Sequence, residues 1–279
     1  MTIDTHAHVI AQDERRYPRA PLGGRQSDWS RERPVSAEQM LAQMDAAGVE
    51  RTVLVQASTC YGHDNSYVAD AVTAHPARFV GVFSVDMTAS DAPEQIRHWK
   101  RRGLHGLRVF IAGHTTKQDA RLDDPRSFPA WECAVGEGLP ICVQARAGAL
   151  GELATLLARF PRARVLLDHM ARPAVEDGAP YSAAEPLFAL ARFENLYLKL
   201  TTHNVRDAQK GKATPQSFFA RVVKSYGASR IAWGSNFPAA EGPLVARREE
   251  SERAAAALTS SERDSIFSRT AKNIYAALA

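Results

Sequence analysis

The chain alternates eight times between a short apolar run and a segment with helical spacing, and this alternation constrains the fold more than any other feature. Capping-box spacing follows Ser36 and Thr259, where Gln39 and Glu262 stand three residues on. Strands and helices that alternate in this way predict parallel βα units. The eight apolar runs are residues 2–9, 51–57, 79–86, 105–111, 140–146, 164–170, 196–202 and 230–236.

Eight βα units in 279 residues match the size of a TIM-type (β/α)8 barrel, and we predict that residues 1–279 form one such α/β domain. The rival α/β fold, an open doubly wound sheet, needs a glycine-rich turn after its first strand. Residues 5–12, THAHVIAQ, contain no glycine. The long connections at residues 10–35 and 111–126 are expected to shape a substrate pocket.

Composition and charge limit the classes of partner that the protein is expected to bind. The net charge is +4, but the basic residues are scattered, without the patch or aromatic platforms of a nucleic-acid surface. We therefore expect no nucleic acid and a mild preference for anionic small molecules. No apolar run is long enough to span a membrane, so we predict no membrane contact and a cytoplasmic location. Cys60, Cys133 and Cys142 have neither paired nor metal-like spacing, which fits a reducing compartment. The sequence leaves the oligomeric state open.

His6 and His8 lie two residues apart on the first predicted strand, so both side chains point to one face. At the carboxyl end of a barrel strand, that face is the mouth of the barrel. Two imidazoles there can hold a divalent metal or act as acid and base. The structural alternative is a pair of packed or solvated histidines.

Polar residues also stand at the carboxyl ends of most other predicted strands, where barrel enzymes have their active sites. We therefore predict an active site at this end. Arg108, in a mouth with no excess of carboxylates, is expected to bind an anionic substrate rather than to pair structurally. The other residues in this set are Gln56, Ser58, Gln144, Arg146, Asp168, His169, Lys199, Thr201, Ser235 and Asn236.

Some polar residues are expected to have structural roles. Asp168 alternates with His169 along its strand and should face the helical shell, and Asp4 should be a deep hydrogen-bonding group. Cys142 is expected in the core, and the sequence does not decide between a paired and a pocket position for Lys199. The remaining histidines, His63, His75, His98, His105, His114 and His203, are expected at the surface or in loops.

Five motifs stand at the strand ends: the H-x-H of strand one, VQAS of strand two, GLR of strand four, LDHMARP of strand six and WGSNFP of strand eight. Together they resemble the amidohydrolase superfamily, and the resemblance covers the whole chain. Within it, the pattern is similar to the branch of 2-pyrone-4,6-dicarboxylate lactonases. The resemblance implies a small carboxylated lactone as substrate, with Arg108 and Arg121 binding substrate carboxylates and Ser58 assisting. It also implies that His6, His8 and His169 line the scissile carbonyl, or hold one divalent metal such as zinc in members that use one.

The sequence departs from the hydrolytic members at three positions. Asn236 stands where they have an aspartate that activates water or binds metal. Gln144 replaces a histidine ligand, and Arg108 replaces a bridging ligand of binuclear members, so a six-ligand binuclear site is not available. We expect Asn236 to orient the nucleophile, and Gln144 and Arg146 to contact substrate. No cofactor is obligatory in this interpretation.

The predicted reaction is hydrolysis of the lactone ester bond, and three alternatives remain open. A galactarolactone isomerase also has the strand-five glutamine and the strand-eight asparagine, and isomerisation needs only a substrate hydroxyl near a polarised carbonyl. A sister branch of the superfamily decarboxylates its substrates. A barrel without the aspartate at position 236 is also compatible with binding a carboxylated ligand without turnover.

Overall fold

The structure is a computed structural model that describes residues 1–110 and 121–279. His114 and most of the long connection expected at residues 111–126 lie outside the described residues. Within these residues, eight strands pair in parallel and in chain order, from the first to the eighth. Each predicted apolar run contains one of them, so the predicted (β/α)8 barrel is confirmed. The strands are β1 (Ile3–Ala7), β2 (Arg51–Val55), β3 (Phe79–Ser84), β4 (Gly106–Phe110), β5 (Ile141–Gln144), β6 (Val165–Leu167), β7 (Leu196–Thr201) and β8 (Ile231–Gly234).

Helices follow the strands along the chain, as parallel strands require. In the described part of the chain, no helix is long and apolar enough to cross a membrane. The α-helices are α1 (Asp28–Glu32), α2 (Ala37–Ala47), α3 (Ser58–Tyr61), α4 (Ser66–Ala74), α5 (Ala92–Arg101), α6 (Phe128–Gly136), α7 (Leu150–Arg159), α8 (Glu185–Ala189), α9 (Thr202–Asp207), α10 (Pro215–Tyr226), α11 (Leu244–Ala254), α12 (Ser260–Asp264) and α13 (Thr270–Ile274).

Local signals explain where several helices begin and end. Both predicted capping boxes form, at Ser36 before α2 and at Thr259 before α12. Helix α2 ends at Gly48, whose φ of 59° lies in the left-handed region that glycine tolerates. Asp91 precedes α5, but its side chain makes no capping hydrogen bond. The helical pattern after residue 259 is divided by a π-helical turn at Ser265–Arg269.

Strands β1 and β8 meet by a short set of backbone contacts. Ala7 forms a parallel bridge with Phe237. The N–H of Asn236 donates to the carbonyl of His6 at 2.7 Å, and the N–H of His8 donates to the carbonyl of Phe237 at 2.9 Å. These contacts hold the histidine strand directly beside Asn236, at the carboxyl end of the barrel.

The contacts between β1 and β8 form the seam of the barrel, and Asp4 strengthens this seam from inside the protein. Its Oδ1 accepts hydrogen bonds from the N–H groups of His6 and Ser235, both at 2.9 Å, and its Oδ2 accepts from the Ser235 hydroxyl at 2.5 Å. Burial raises the pKa of Asp4, and these hydrogen bonds oppose that rise. The expected structural role of Asp4 is therefore seen directly in its contacts.

Apolar side chains fill much of the interior of the barrel below the mouth. Alternate residues of the strands, such as Val53, Val82 and Leu166, pack in one cluster with Ile274 and Tyr275 from the end of the chain. A larger cluster fills the space between the sheet and the surrounding helices. Polar side chains at the carboxyl ends of the strands are therefore supported from below by a packed core.

Candidate active site

A cavity of about 840 Å³ opens at the carboxyl ends of the strands. This volume is sufficient for a small-molecule ligand. The cavity lies where the sequence predicts an active site, and most of the predicted site residues reach it. Those that line it are His8, Ser58, Arg108, Gln144, Arg146, His169 and Asn236.

Of the residues predicted to be catalytic or to bind substrate, His6 and Arg121 do not line this cavity. Five other polar strand-end residues are buried and do not line it either: Gln56, Asp168, Lys199, Thr201 and Ser235. His6 is fully buried and lies beneath it, in contact with the rings of His8 and His169. Arg121 is exposed, and its guanidinium pairs with the carboxylate of Asp123 at 2.9 Å. The structure thus brings together the two strand-one histidines and Arg108, but not Arg121.

The turn after β6 changes the direction of its side chains. His169 and Met170 have φ values of 54° and 53°, and Ala171 and Arg172 follow with 57° and 50°. Non-glycine residues rarely occupy this left-handed region, and such runs are found where function requires them. Asp168 is in phase with Leu166, whose side chain packs inside the barrel, so the expectation that Asp168 faces the helical shell is wrong. By the same alternation His169 would face outward, and the left-handed turn is what directs it to the cavity.

Hydrogen bonds fix the tautomers of the two histidines that line the cavity. Nδ1 of His8 donates to the carbonyl of Val55 at 2.7 Å. Nδ1 of His169 lies 2.8 Å from the hydroxyl of Thr201, which itself donates to Oδ1 of Asn204. Nδ1 of His169 is therefore the donor, and each ring has its lone pair on Nε2. Both Nε2 atoms can accept a hydrogen bond or bind a metal, but neither can donate to a carbonyl.

His6 occupies the space between these two rings. Its ring centre lies 5.0 Å from that of His8 and 4.8 Å from that of His169. Its Nδ1 lies 3.4 Å from Asp168 and 3.3 Å from Lys199. Its Nε2 is buried without a hydrogen-bond partner among the described residues. A buried, unpaired imidazole nitrogen is costly and indicates a functional role.

The imidazoles of the site are neutral at neutral pH. Burial lowers the pKa of His6 to about 4, although Asp168 favours its protonated form. Burial and the neighbouring His6 also lower the pKa values of His8 and His169 well below the usual range. Neutral imidazoles are the form that accepts hydrogen bonds and binds metals.

Asp168 connects three other buried groups. Its Oδ1 lies 3.0 Å from Nζ of Lys199, and its Oδ2 lies 3.2 Å from Nε of Arg108. Burial disfavours the carboxylate, but Lys199, His6 and Arg108 together hold the pKa of Asp168 well below its usual range. Burial likewise disfavours charge on Lys199, but attraction to Asp168 outweighs it and raises the lysine pKa. The structure thus assigns Lys199 to a buried ion pair. Its Nζ also lies 3.1 Å from the thiol of Cys142, which is in the core as expected.

Arg108 is held rigidly at the edge of the cavity. Its Nη1 donates to the carbonyl of Gln56 at 3.2 Å, and its guanidinium carbon lies 4.8 Å from the centre of the Phe110 ring. Only 4% of the residue is exposed, although it lines the cavity. A buried, preorganised guanidinium of this kind is suited to bind a carboxylate.

Asn236 is positioned by an unexpected partner. Its φ of 56° is left-handed, a conformation that asparagine and aspartate tolerate better than most residues. Its Nδ2 donates to Nε2 of His203 at 3.0 Å, which leaves Oδ1 facing the site as an acceptor. His203 is half-buried and lines the cavity, so the expectation of a surface or loop position is wrong. Its position two residues after the end of β7 is the sequence signal for this placement.

The lining contains further groups that the sequence did not single out. Trp29 of α1 lies with its ring centre 5.2 Å from that of His8 and offers an apolar surface. At the rim, Arg172 forms two hydrogen bonds with Asp207, both of 2.9 Å.

The hydroxyl of Ser58 and Oε1 of Gln144 are buried without partners among the described residues, so they are available to a ligand.

Three histidines at the base of the cavity, His6, His8 and His169, are the candidate ligands for a metal ion. Among the described residues, no group of three or more His, Cys, Asp or Glu side chains is arranged to hold a metal as it stands. In chemical terms the donors do fit one, because the Nε2 atoms of His8 and His169 carry lone pairs and that of His6 is buried without a partner. Three neutral imidazoles are a known zinc-binding set.

Comparison with curated proteins gives relatives that process lactones. The chain is 29% identical over 245 residues to L-fucono-1,5-lactonase of Burkholderia ambifaria, covering 85% of this chain and 80% of the relative. It is 26% identical over 247 residues to 4-sulfomuconolactone hydrolase of Rhizobium radiobacter, covering 84% and 75% of the two chains.

A similar solved structure and a matching family model agree with these curated relatives. A solved structure described as a putative 2-pyrone-4,6-dicarboxylic acid hydrolase, from Pseudomonas putida, superimposes with a TM-score of 0.78 at 21% identity. The match covers 99% of this chain and 97% of that one. A family model described as "Amidohydrolase" matches residues 3–276, which is nearly the whole chain. The chain belongs to the amidohydrolase family, and the resemblance drawn from its strand ends is confirmed.

Proposed function

We propose that this protein hydrolyses the ester bond of a small lactone that carries a carboxylate. The observation that supports this most directly is the grouping around one cavity of a buried arginine, two neutral histidines and Asn236. Both curated relatives described above are named for the cleavage of lactones. One of them, the sulfomuconolactone hydrolase, is named for a lactone with an anionic substituent.

In this proposal, Arg108 binds the substrate carboxylate at the edge of the cavity. Its guanidinium cannot move freely, because it is held by Gln56, Asp168 and the ring of Phe110. Ser58 and Gln144 offer hydrogen-bonding groups to the same ligand, and Arg146 lies at the exposed side of the cavity. Such anchoring aligns the lactone carbonyl with the histidines, which is worth a large part of a catalytic effect.

The nucleophilic water is oriented by acceptors rather than deprotonated by a carboxylate. Oδ1 of Asn236 and the Nε2 atoms of His8 and His169 are all hydrogen-bond acceptors. Water placed between them would donate its two protons to two of these groups and direct an oxygen lone pair at the carbonyl. A neutral imidazole of this set is the group available to take a proton during attack and to return it to the ring oxygen as the C–O bond breaks.

If a divalent metal is bound, His6, His8 and His169 are the residues that would hold it. It would polarise the carbonyl and lower the pKa of a bound water. Elemental analysis of the purified protein decides this point. Stoichiometric zinc whose removal by chelation abolishes turnover would support the metal, and activity without metal would exclude the requirement.

Isomerisation of the lactone is the second candidate, because Asn236 orients a hydroxyl as readily as it orients water. The two reactions are separated by NMR in oxygen-labelled water with a panel of sugar-acid and muconate-type lactones. Hydrolysis incorporates one label into the new carboxylate and releases a proton, whereas isomerisation does neither. If a carboxylated ligand binds but no lactone of the panel is converted, the protein is a binder instead. The cytoplasmic location and the single-domain boundaries 1–279 remain part of the proposal.

A further inference from the structure

The buried groups beneath the cavity include a lysine that does not line it. Lys199 on β7 is fully buried and is not among the residues around the cavity. Its Nζ nevertheless lies 3.0 Å from Oδ1 of Asp168. The other oxygen of that carboxylate lies 3.2 Å from Nε of Arg108. One carboxylate is thus shared between a cation inside the barrel and a cation that faces the ligand.

The charges of these three groups sum to +1, because two cations share one carboxylate. If Lys199 were neutral, Arg108 and Asp168 would form a neutral pair, and Arg108 would attract an anionic ligand more weakly. The effect is strong here because the groups are buried, where charges interact over longer distances than in water. Asp4, a second buried carboxylate, accepts its hydrogen bonds from Ser235 and the backbone of His6 rather than from Lys199 or Arg108.

We propose that Lys199 sets the preference of the cavity for an anionic over a neutral ligand, by neutralising Asp168 from below and leaving the charge of Arg108 available. This inference rests on the proposed function in one respect, the substrate carboxylate bound by Arg108. Lys199 is then a positioning residue, since it acts only through Asp168 and Arg108.

A purely structural role for Lys199 predicts a different result. Loss of a buried ion pair lowers stability and distorts the site, and this weakens charged and neutral ligands to the same degree. The charge model instead predicts a selective effect on the charged ligand. It also predicts that a second substitution that restores the net charge restores the preference.

The test measures the binding of two matched ligands by isothermal titration calorimetry at pH 8, where imidazoles are neutral. One is a γ-butyrolactone with a free carboxylate on the ring, and the other is the same lactone with a primary amide in its place. The wild type should bind the carboxylate more tightly. In Lys199→Met the ratio of the two affinities should fall about tenfold. In the double variant Asp168→Asn with Lys199→Met, the sum returns to +1 and the ratio should recover.

Equal affinity of the wild type for the two ligands would overturn the inference, as would a double variant that keeps the loss seen in Lys199→Met. If Lys199→Met does not fold, Asp168→Asn tests the same point. Removing the shared carboxylate leaves the charge of Arg108 unopposed whether or not Lys199 stays protonated, so a ratio equal to or above that of the wild type supports the inference and a lower ratio contradicts it. Turnover of the carboxylated lactone is followed separately by NMR. A charge preference without turnover would reject the hydrolase while retaining the role of Lys199.

Discussion

At the scale of single residues, the chemistry depends on which atoms of the site donate and which accept. The Nδ1 atoms of His8 and His169 are committed to donation, so their Nε2 atoms and Oδ1 of Asn236 form a set of acceptors. The guanidinium of Arg108 supplies positive charge at the edge of the cavity. This division favours a reaction in which water is held by acceptors and an anionic group is held by an arginine.

Arg108→Ala is expected to reduce kcat/KM for a carboxylated lactone by a factor of roughly ten to more than a hundred. The reason is the loss of a charge-assisted contact worth about 1.5–3 kcal/mol, while Asp168 keeps its pair with Lys199. Steady-state kinetics provide the measurement. Arg126→Gln is the control, since Arg126 is exposed and pairs with Asp124, away from the cavity. A similar loss in both variants would argue against a specific role for Arg108.

Asn236→Asp is expected to raise the rate of hydrolysis at neutral pH, because the new carboxylate can take a proton from water. The backbone conformation should survive, since aspartate also tolerates the left-handed φ of 56° at this position. The rate of proton release from the same lactone before and after substitution is the measurement. A slower variant would show that Asn236 is adapted to another reaction.

At the scale of elements, the turn after β6 carries the most unusual backbone in the site. Four consecutive residues from His169 to Arg172 have positive φ values, and none is a glycine. The turn is fastened at its end by the pair between Arg172 and Asp207 of α9. It is also fastened at its start by Asn204, whose Nδ2 donates to the carbonyl of His169 at 2.7 Å. Helix α9 therefore holds His169 in its inward position.

Asp207→Asn should lower the melting temperature at neutral pH, and this effect should vanish in acid. Burial opposes ionisation of Asp207, but hydrogen bonds from Arg172 and Lys210 outweigh it and lower its pKa below the usual 3.8. A carboxyl group with a lowered pKa in the folded protein stabilises it above the unfolded pKa, and that contribution is lost as the pH falls through the folded value. Melting curves of wild type and variant from pH 7 down to about pH 3 provide the measurement.

A double-mutant cycle with Arg172→Gln isolates the ion pair at neutral pH. We expect a coupling energy of about 1 kcal/mol, since half of the Arg172 side chain is exposed. A coupling that persists unchanged in acid would contradict the assignment to the carboxylate.

At the scale of the whole molecule, the barrel closes where β1 meets β8, and the site depends on that closure. The seam holds His6 beside Asn236 through backbone hydrogen bonds and through Asp4. Gly234 lies at its closest point, because a Cβ there would stand 2.6 Å from Cβ of His6. A small residue is therefore required for the two strands to approach.

Gly234→Ala is expected to destabilise the protein by about 1–3 kcal/mol, because the added methyl group overpacks the seam. Gly136→Ala is the matched control. Gly136 ends α6 with nothing within 4 Å of an added Cβ, so this change should be neutral or stabilise by about 0.5–1 kcal/mol. Urea unfolding of both variants measures the free energies. Equal stability of the two variants would show that the seam is less tightly packed than described.

The sequence by itself determined the architecture and the location of the site. Alternating periodicity is a local property of the chain, so the eight strands, the capping boxes at Ser36 and Thr259, and the polar strand ends could be read directly. Tertiary structure decided everything that depends on where the chain turns away from regular geometry. The left-handed turn brought His169 inward beside Asp168, and the start of α9 brought His203 to Asn236. Tertiary structure also decided that Lys199 and Arg108 share the carboxylate of Asp168. These residues lie on strands that are far apart in the chain, so local periodicity does not predict their contact.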